Sequence, residues 1–220
     1  MESLNLDNEA LFVGGRLCLD FVNTSCMRRG TPLEFIGSAG DLREWLRKAE
    51  TMTGITLCDK DMEFGDEALS RAVALRSALS ELVHGMIEQR PPAAQALQVV
   101  NATLRETPAY SQLDYGNTGF QESRLTSPPG DRWLAAIAQD AVDLLCRSDL
   151  SLLRECGCPT CVRVFYDTTK NHKRRWCVEK CGSAPKAAAY YRRKVARAAE
   201  ANAEVSDLPA ALQMAWLWEK

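Results

Sequence analysis

The sequence predicts an α+β chain: a mostly helical N-terminal domain with a few strands, followed by a small treble-clef module built around cysteines. Three observations carry this. Apolar residues recur at helical spacing in four segments of the first 150 residues. Gly- and Pro-rich breaks separate shorter apolar runs that suit strands. Five of the nine cysteines crowd into residues 156–181. A chain of 220 residues can bury one larger core and still carry a small module. The expected division is 1–150 for the α+β domain, 151–200 for the cysteine module and 201–220 for a C-terminal tail.

Taken in order, residues 11–24 (LFVGGRLCLDFVNT) place a Gly-Gly turn signal between apolar flanks. A hairpin fits this run, and so does a short helix beginning at Leu17, because both faces are apolar. The Gly pair lacks the GxxxxGK pattern of a phosphate loop. Asp20 and Asn23 sit among apolar neighbours and are expected to hydrogen-bond backbone; holding a small effector is the alternative. Asp41 with Glu44 reads as a capping box before Leu42, Trp45, Leu46 and Ala49. Residues 67–89 give the strongest helix, with Leu69, Val73, Leu75, Leu79, Leu82, Val83 and Met86 as its apolar stripe, ended by Arg90, Pro91 and Pro92. His84 lies on it as an ordinary surface or core-edge side chain. A helix over 93–105 follows, then a hairpin with its tip at residues 116–119, then a helix over 131–146. Cys18, Cys26, Cys58 and Cys146, far apart among mostly apolar neighbours, read as small core residues.

Charge divides the chain sharply. Residues 1–153 hold 14 Lys/Arg against 22 Asp/Glu, a net −8, whereas residues 154–197 hold 12 against 3, a net +9. A break of that size marks a boundary near residue 150 and implies different partners for the two parts. Residues 1–10 are polar and acidic, with no basic start leading into an apolar core, and no run approaches the ~20 apolar residues of a membrane helix. The expectation is a cytoplasmic protein without a membrane partner. In that compartment nine cysteines point to metal ligation and buried thiols rather than disulfides.

The module itself opens with the CPTC run at 158–161, a knuckle whose tight turn aims two sulfurs at one point. Val162, Val164 and Tyr166 alternate with Arg163 and Phe165 as a first strand, residues 167–173 turn, and residues 174–176 return. Cys177 and Cys181, four apart, share a face in a helical turn. Ser183 caps a following helix with Pro185 in its first turn. Two short cysteine pairs brought together in this way supply the four soft ligands of a structural Zn²⁺. So small a module lacks a core of its own, so the metal would supply most of its folding free energy. His172 reads as a residue of the hairpin turn, with metal ligation as the lesser alternative. Beyond the cluster, Lys186, Tyr190, Arg193, Lys194 and Arg197 recur at steps of three and four. They form one basic helix face, flanked by Arg192, to which Lys173, Arg174 and Arg175 add charge. Such a face attracts phosphates through counterion release.

These residues resemble the CGNR zinc finger family, whose members carry a cysteine knuckle, an F-[LY]-D-[TS]-[TS]-[RK]-N strand and turn, then RRWC and CGNR. The matching runs here are FYDTTKN at 165–171, RRWC at 174–177 and CGSA at 181–184. The run VGGRLCLDFVNT at 13–24 resembles the opening of the ABATE domain, which accompanies such fingers; together the likeness spans roughly residues 10–197. Family members are regarded as stress-induced bacterial transcription regulators, so the resemblance implies DNA binding through the finger. It also bears on the first ligand. Many members space the knuckle as C-x4-C after an L-[KR]-[RK] strand, which fits Cys156 with Cys161 after Leu153, whereas the general CxxC knuckle uses Cys158. The ligand set is therefore Cys156 (or Cys158 in its place), Cys161, Cys177 and Cys181. One departure stands out: Ser183 and Ala184 replace the Asn-Arg that ends the family's name-giving tetrad.

The expected function is a DNA-binding regulator, not an enzyme, in which the N-terminal domain senses a small effector, binds a protein or forms a homodimer. The alternative is an interaction adaptor in which zinc only holds the fold, favoured by the altered tetrad and by the apolar tail residues Leu212, Met214, Trp216, Leu217 and Trp218. A metal nuclease using Asn171 and His172 is a poor third, since one His without a carboxylate pair makes a weak hydrolytic site.

Overall fold

Apolar stripes and caps set the helices of this chain, and the helices build the scaffold. The computed structural model describes residues 11–28, 31–58, 62–116, 119–126 and 131–182. The chain divides into two compact units at Val178/Glu179; every element below belongs to the first, and of the second residues 179–182 are described. Helix α1 (Leu17–Val22) is followed by strands β1 (Ser25–Arg28) and β2 (Thr31–Glu34). Helices α2 (Ala39–Thr53), α3 (Asp66–Ile87) and α4 (Ala94–Glu106) come next, then strands β3 (Ala109–Gly116) and β4 (Gly119–Thr126), helix α5 (Arg132–Arg147), and strands β5 (Leu153–Glu155) and β6 (Val164–Tyr166). Among the described residues the strands form three antiparallel pairs, β1–β2, β3–β4 and β5–β6. The α+β class and the four long helices are as the sequence predicts.

Helix α3 lies at the centre and packs on α1, α2, α4 and α5. Its buried face is Ala72, Leu75, Arg76, Ala78, Leu79, Leu82 and Val83, while Val73 and Met86 face outward. The arginine is the unexpected member. Arg76 donates both Nη atoms to the Glu34 carboxylate at 2.6 Å and Nη1 also to Thr24 Oγ1 at 3.0 Å. That bidentate pair fixes the β1–β2 hairpin onto α3. The hairpin itself was not legible in the sequence, because β2 is four residues long and contains Pro32. In α5, Trp133, Leu134, Ile137, Ala138, Ala141 and Leu144 face inward at steps of three and four. The Trp133 ring is fully buried beside Phe64, with ring centroids 6.1 Å apart.

Helix α2 begins three residues earlier than its capping box suggested. Ser38, with extended backbone, is the N-cap, and its Oγ accepts from the Asp41 amide at 3.1 Å. Asp41 is thus the third residue of the helix rather than its cap, and the box is shifted one turn. Of the scattered cysteines, Cys18 and Cys26 are buried as expected; Cys58 is half-buried and Cys146 exposed on the outer side of α5. The β3–β4 hairpin pairs from Ala109 opposite Thr126 to Gly116 opposite Gly119, the two ends of the predicted tip. At its end Tyr115 and Phe120 pair directly across the strands, rings 5.0 Å apart, and with Leu113 they are 72–76% exposed. Among the described residues no helix is long and apolar enough to cross a membrane.

Helix α1 positions the functional end of the molecule. All six of its residues are buried, and it packs on α3, α5 and β6. The Gly-Gly run is the loop that enters it, not a hairpin. At Gly14 a Cβ would sit 2.7 Å from Leu19 Cβ and 2.9 Å from the Asp20 nitrogen, so the close return of the chain requires glycine. Gly15 takes φ +73°, and a Cβ there would lie 3.1 Å from the Tyr166 carbonyl oxygen.

Candidate metal centre

The cysteine module grows directly out of this scaffold. Strands β5 and β6 pair with Leu153 opposite Tyr166, Arg154 opposite Phe165 and Glu155 opposite Val164. The partner of β6 is therefore the strand before the knuckle, not residues 174–176 as the sequence suggested. Those residues cross the knuckle instead: the Gly157 amide donates to the Arg175 carbonyl at 2.8 Å. Leu153 and Val164 belong to the hydrophobic core of the N-terminal body. The charge break near residue 150 thus falls inside a continuous packing unit.

Two backbone bonds shape the knuckle. The Cys156 amide donates to the Arg163 carbonyl at 2.8 Å, closing the end of the β5–β6 ladder, and the Cys161 amide donates to the Cys158 carbonyl at 2.9 Å, forming a tight turn. The sulfurs of Cys156, Cys161, Cys177 and Cys181 all lie within 4.8 Å of one another, the first three buried and the last half-buried. Cys161 Sγ and Cys177 Sγ are 3.7 Å apart. A tetrahedron with metal–sulfur bonds of about 2.3 Å has edges of roughly 3.8 Å, so the spacing suits a tetrahedral thiophilic ion. The Cys177 amide donates to Cys156 Sγ at 3.4 Å, the kind of N–H···S contact that orients a thiolate ligand. Cys158 is outside the group; its sulfur lies 3.5 Å from the Thr160 hydroxyl. The geometry therefore gathers Cys156 where the local CxxC pattern favours Cys158. His172, exposed with φ 47°, is also outside.

The thiols are electrostatically inequivalent. Hydrogen bonds from the Cys161 and Cys177 thiols pull Cys156 well below the ordinary thiol range. The Cys156 sulfur in turn pushes Cys161 and Cys177 up. So crowded a set cannot lose all its protons unless a cation replaces them, which is the chemistry of a metal-binding site. Arg163 stands beside it. Burial opposes its charge, but a hydrogen bond to Cys26 and the nearby Cys177 and Cys161 sulfurs outweigh that and hold it protonated.

Asp167, fully buried, organises the turn that follows β6. Its carboxylate accepts from the Thr169 amide and hydroxyl at 3.0 and 2.6 Å and from the Arg174 amide at 2.8 Å. Of the basic residues expected at a nucleic-acid face, Lys173 and Arg175 are exposed, the latter with its guanidinium 5.5 Å from the Trp176 ring centroid. Arg174 is turned inward among backbone carbonyls. Lys186, Tyr190, Arg192, Arg193, Lys194 and Arg197 lie outside the described residues, as do the helix cap at Ser183 and the apolar tail.

The body grips the module at three backbone points. Asn23 Nδ2 donates to the Val164 carbonyl at 2.8 Å while its Oδ1 accepts from the Val164 amide at 2.9 Å. The Tyr166 amide donates to the Gly14 carbonyl at 2.7 Å. Asn23 and Asp20 do bond backbone, as their apolar setting implied. Asn23's partner lies 141 residues away, so no local pattern could have named it.

Asp20 accepts from the Gly14 amide at 2.7 Å. Burial raises its carboxyl to about 7 against the opposing hydrogen bonds from the Gly14 and Val13 backbone; Asp140 adds to the rise and Arg174 opposes it. A carboxyl raised on folding favours the folded chain while protonated. Its contribution is complete below the ordinary value of 3.8 and is lost as pH climbs through about 7. The melting temperature is therefore expected to fall across that window by more in the native chain than in Asp20→Asn, which keeps the acceptor for Gly14. Thermal melts of both proteins from pH 4 to 8 check this.

Two family models match the chain. ABATE, described as a "putative stress-induced transcription regulator", covers residues 15–148. The CGNR zinc finger covers residues 153–194. No curated protein matches the chain.

Proposed function

Since the chain belongs to the ABATE family and carries a CGNR zinc finger, we propose that it is a DNA-binding transcription regulator whose finger is held by one zinc ion. The observation that carries this reading is the convergence of four cysteine sulfurs within 4.8 Å beside the basic segment of the sequence. Cys156, Cys161, Cys177 and Cys181 would hold the ion, in a treble-clef arrangement. Bound zinc supplies a cross-link between the knuckle and the turn at Cys177 that a module of this size cannot obtain from packing. The remaining work belongs to the chain. Exposed Lys173 and Arg175 offer charge to phosphates, and Lys186, Tyr190, Arg192, Arg193, Lys194 and Arg197 would extend that face along the helix that the sequence predicts there. The role is binding, with no reaction assigned, and its setting would be the cytoplasm.

A mobility shift with the zinc-loaded full chain on duplex DNA tests the proposal. Affinity is expected to fall steeply between about 50 and 200 mM salt. Lys173→Ala and Arg175→Ala are each expected to lower the salt slope by about one unit. Absence of binding at low salt would contradict it. A protein-interaction adaptor is the second reading, favoured by the exposed Leu113, Tyr115 and Phe120 at the end of the β3–β4 hairpin. Recovery of a partner protein without nucleic acid would support that reading instead.

A further inference from the structure

Arg174 is one of the residues that a basic nucleic-acid face would use, yet its side chain is spent inside the molecule. Nε donates to the Trp176 carbonyl at 3.0 Å. Nη2 donates to the Cys177 carbonyl at 2.5 Å and to the Val13 carbonyl at 3.0 Å. The guanidinium also lies 4.3 Å from the centroid of the fully buried Phe165 ring. One nitrogen thus joins a cysteine of the metal cluster to a loop 161 residues earlier in the chain.

That loop is not a passive end. Gly14, next to Val13, accepts from the Tyr166 amide and donates to Asp20 in α1. The path from the cluster to α1 is therefore Cys177, Arg174, Val13 with Gly14, then Asp20, each step a hydrogen bond or a peptide link. We propose that Arg174 is a positioning residue that couples occupancy of the cysteine cluster to the entry loop of α1, so that the N-terminal body responds to the metal state of the finger. This rests on the cluster being a metal site.

The physical reason lies in what fixes the Cys177 carbonyl. With its sulfur ligated, the backbone of Cys177 is held and presents a fixed acceptor. Arg174 can then satisfy three carbonyls and a ring face together. Without the ion the acceptor is free to shift, and the hold on Val13 weakens with it. By linkage, the anchored carbonyl also pre-orders the ligand. A lysine cannot replace this, because an ammonium group has neither the planar fork nor the flat face that stacks on Phe165.

The test uses the full chain with Co²⁺ as the probe metal. Thiolate-to-cobalt absorption reports occupancy, and amide hydrogen exchange at Gly14 and Tyr166 reports the loop. In the native chain, cobalt loading is expected to slow Gly14 exchange by about tenfold, within the range of site-to-site couplings. In Arg174→Gln, and in Arg174→Lys as the milder variant, the cobalt band is expected to persist while Gly14 exchange no longer depends on metal. Native protein that loads cobalt without slowing Gly14 would overturn the coupling. So would variants in which exchange rises by the same factor with and without metal, so that the roughly tenfold metal dependence survives, the behaviour of a merely structural arginine. A native chain with no cobalt–thiolate band would overturn the metal site itself, and the coupling with it.

Discussion

Cys177→Ser is expected to release the metal and, with it, the cross-link that holds the module. Its sulfur is one of the four in the cluster, and its amide is the donor that orients Cys156. Losing an outer-shell partner alone typically costs 10- to 100-fold in metal affinity. Losing a ligand outright should exceed that range, even though the backbone amide at position 177 still faces Cys156. Structural zinc contributes roughly 10–16 kcal/mol of apparent binding free energy in small zinc-finger peptides. Here β5 and β6 also pack into the body's core, so its removal is expected to loosen the knuckle and the turn at Cys177 rather than unfold the strands. Cys158→Ser is the matched control. Its sulfur lies against Thr160 rather than in the cluster, so metal content is expected to stay at the native value. Metal analysis after dialysis against a weak chelator separates the two. Loss of metal in Cys158→Ser with retention in Cys156→Ser would reverse the assignment.

Asn23→Ala is expected to be the most damaging single change in the body. It removes a donor and an acceptor together and strands the buried amide and carbonyl of Val164. Each orphaned buried group costs about 1–3 kcal/mol, so the total for the two is about 2–6 kcal/mol. Against a typical stability of about 5–15 kcal/mol that is a large fraction. For a unit of this size it corresponds to a fall in melting temperature of roughly 4–24 °C. Unchanged denaturant unfolding of Asn23→Ala would show that β6 does not depend on this clamp.

The residues legible in the sequence were those whose neighbours are close in the chain. The stripes of α3 and α5, the tip of the β3–β4 hairpin and the spacing of Cys161, Cys177 and Cys181 are all local patterns. What escaped was decided by distant partners. Arg76 reads as a break in an apolar stripe until Glu34 and Thr24 are placed over it. Between Cys156 and Cys158 the CxxC knuckle favoured Cys158 and the family's C-x4-C register put Cys156 first; the end of the β5–β6 ladder and the Cys177 amide are what bring Cys156 into the cluster. Arg174 stands in a basic run and looks like surface charge; only the tertiary fold supplies the Val13 carbonyl that draws it inward. Residues 174–176 fail to pair with β6 because β5 already occupies that edge.

Metal content of the natively purified full chain is the most direct measurement. One zinc per chain is expected, lost in Cys156→Ser, Cys161→Ser, Cys177→Ser and Cys181→Ser alike. A metal-free native protein whose amides around Cys156 and Cys161 remain protected from exchange would contradict it.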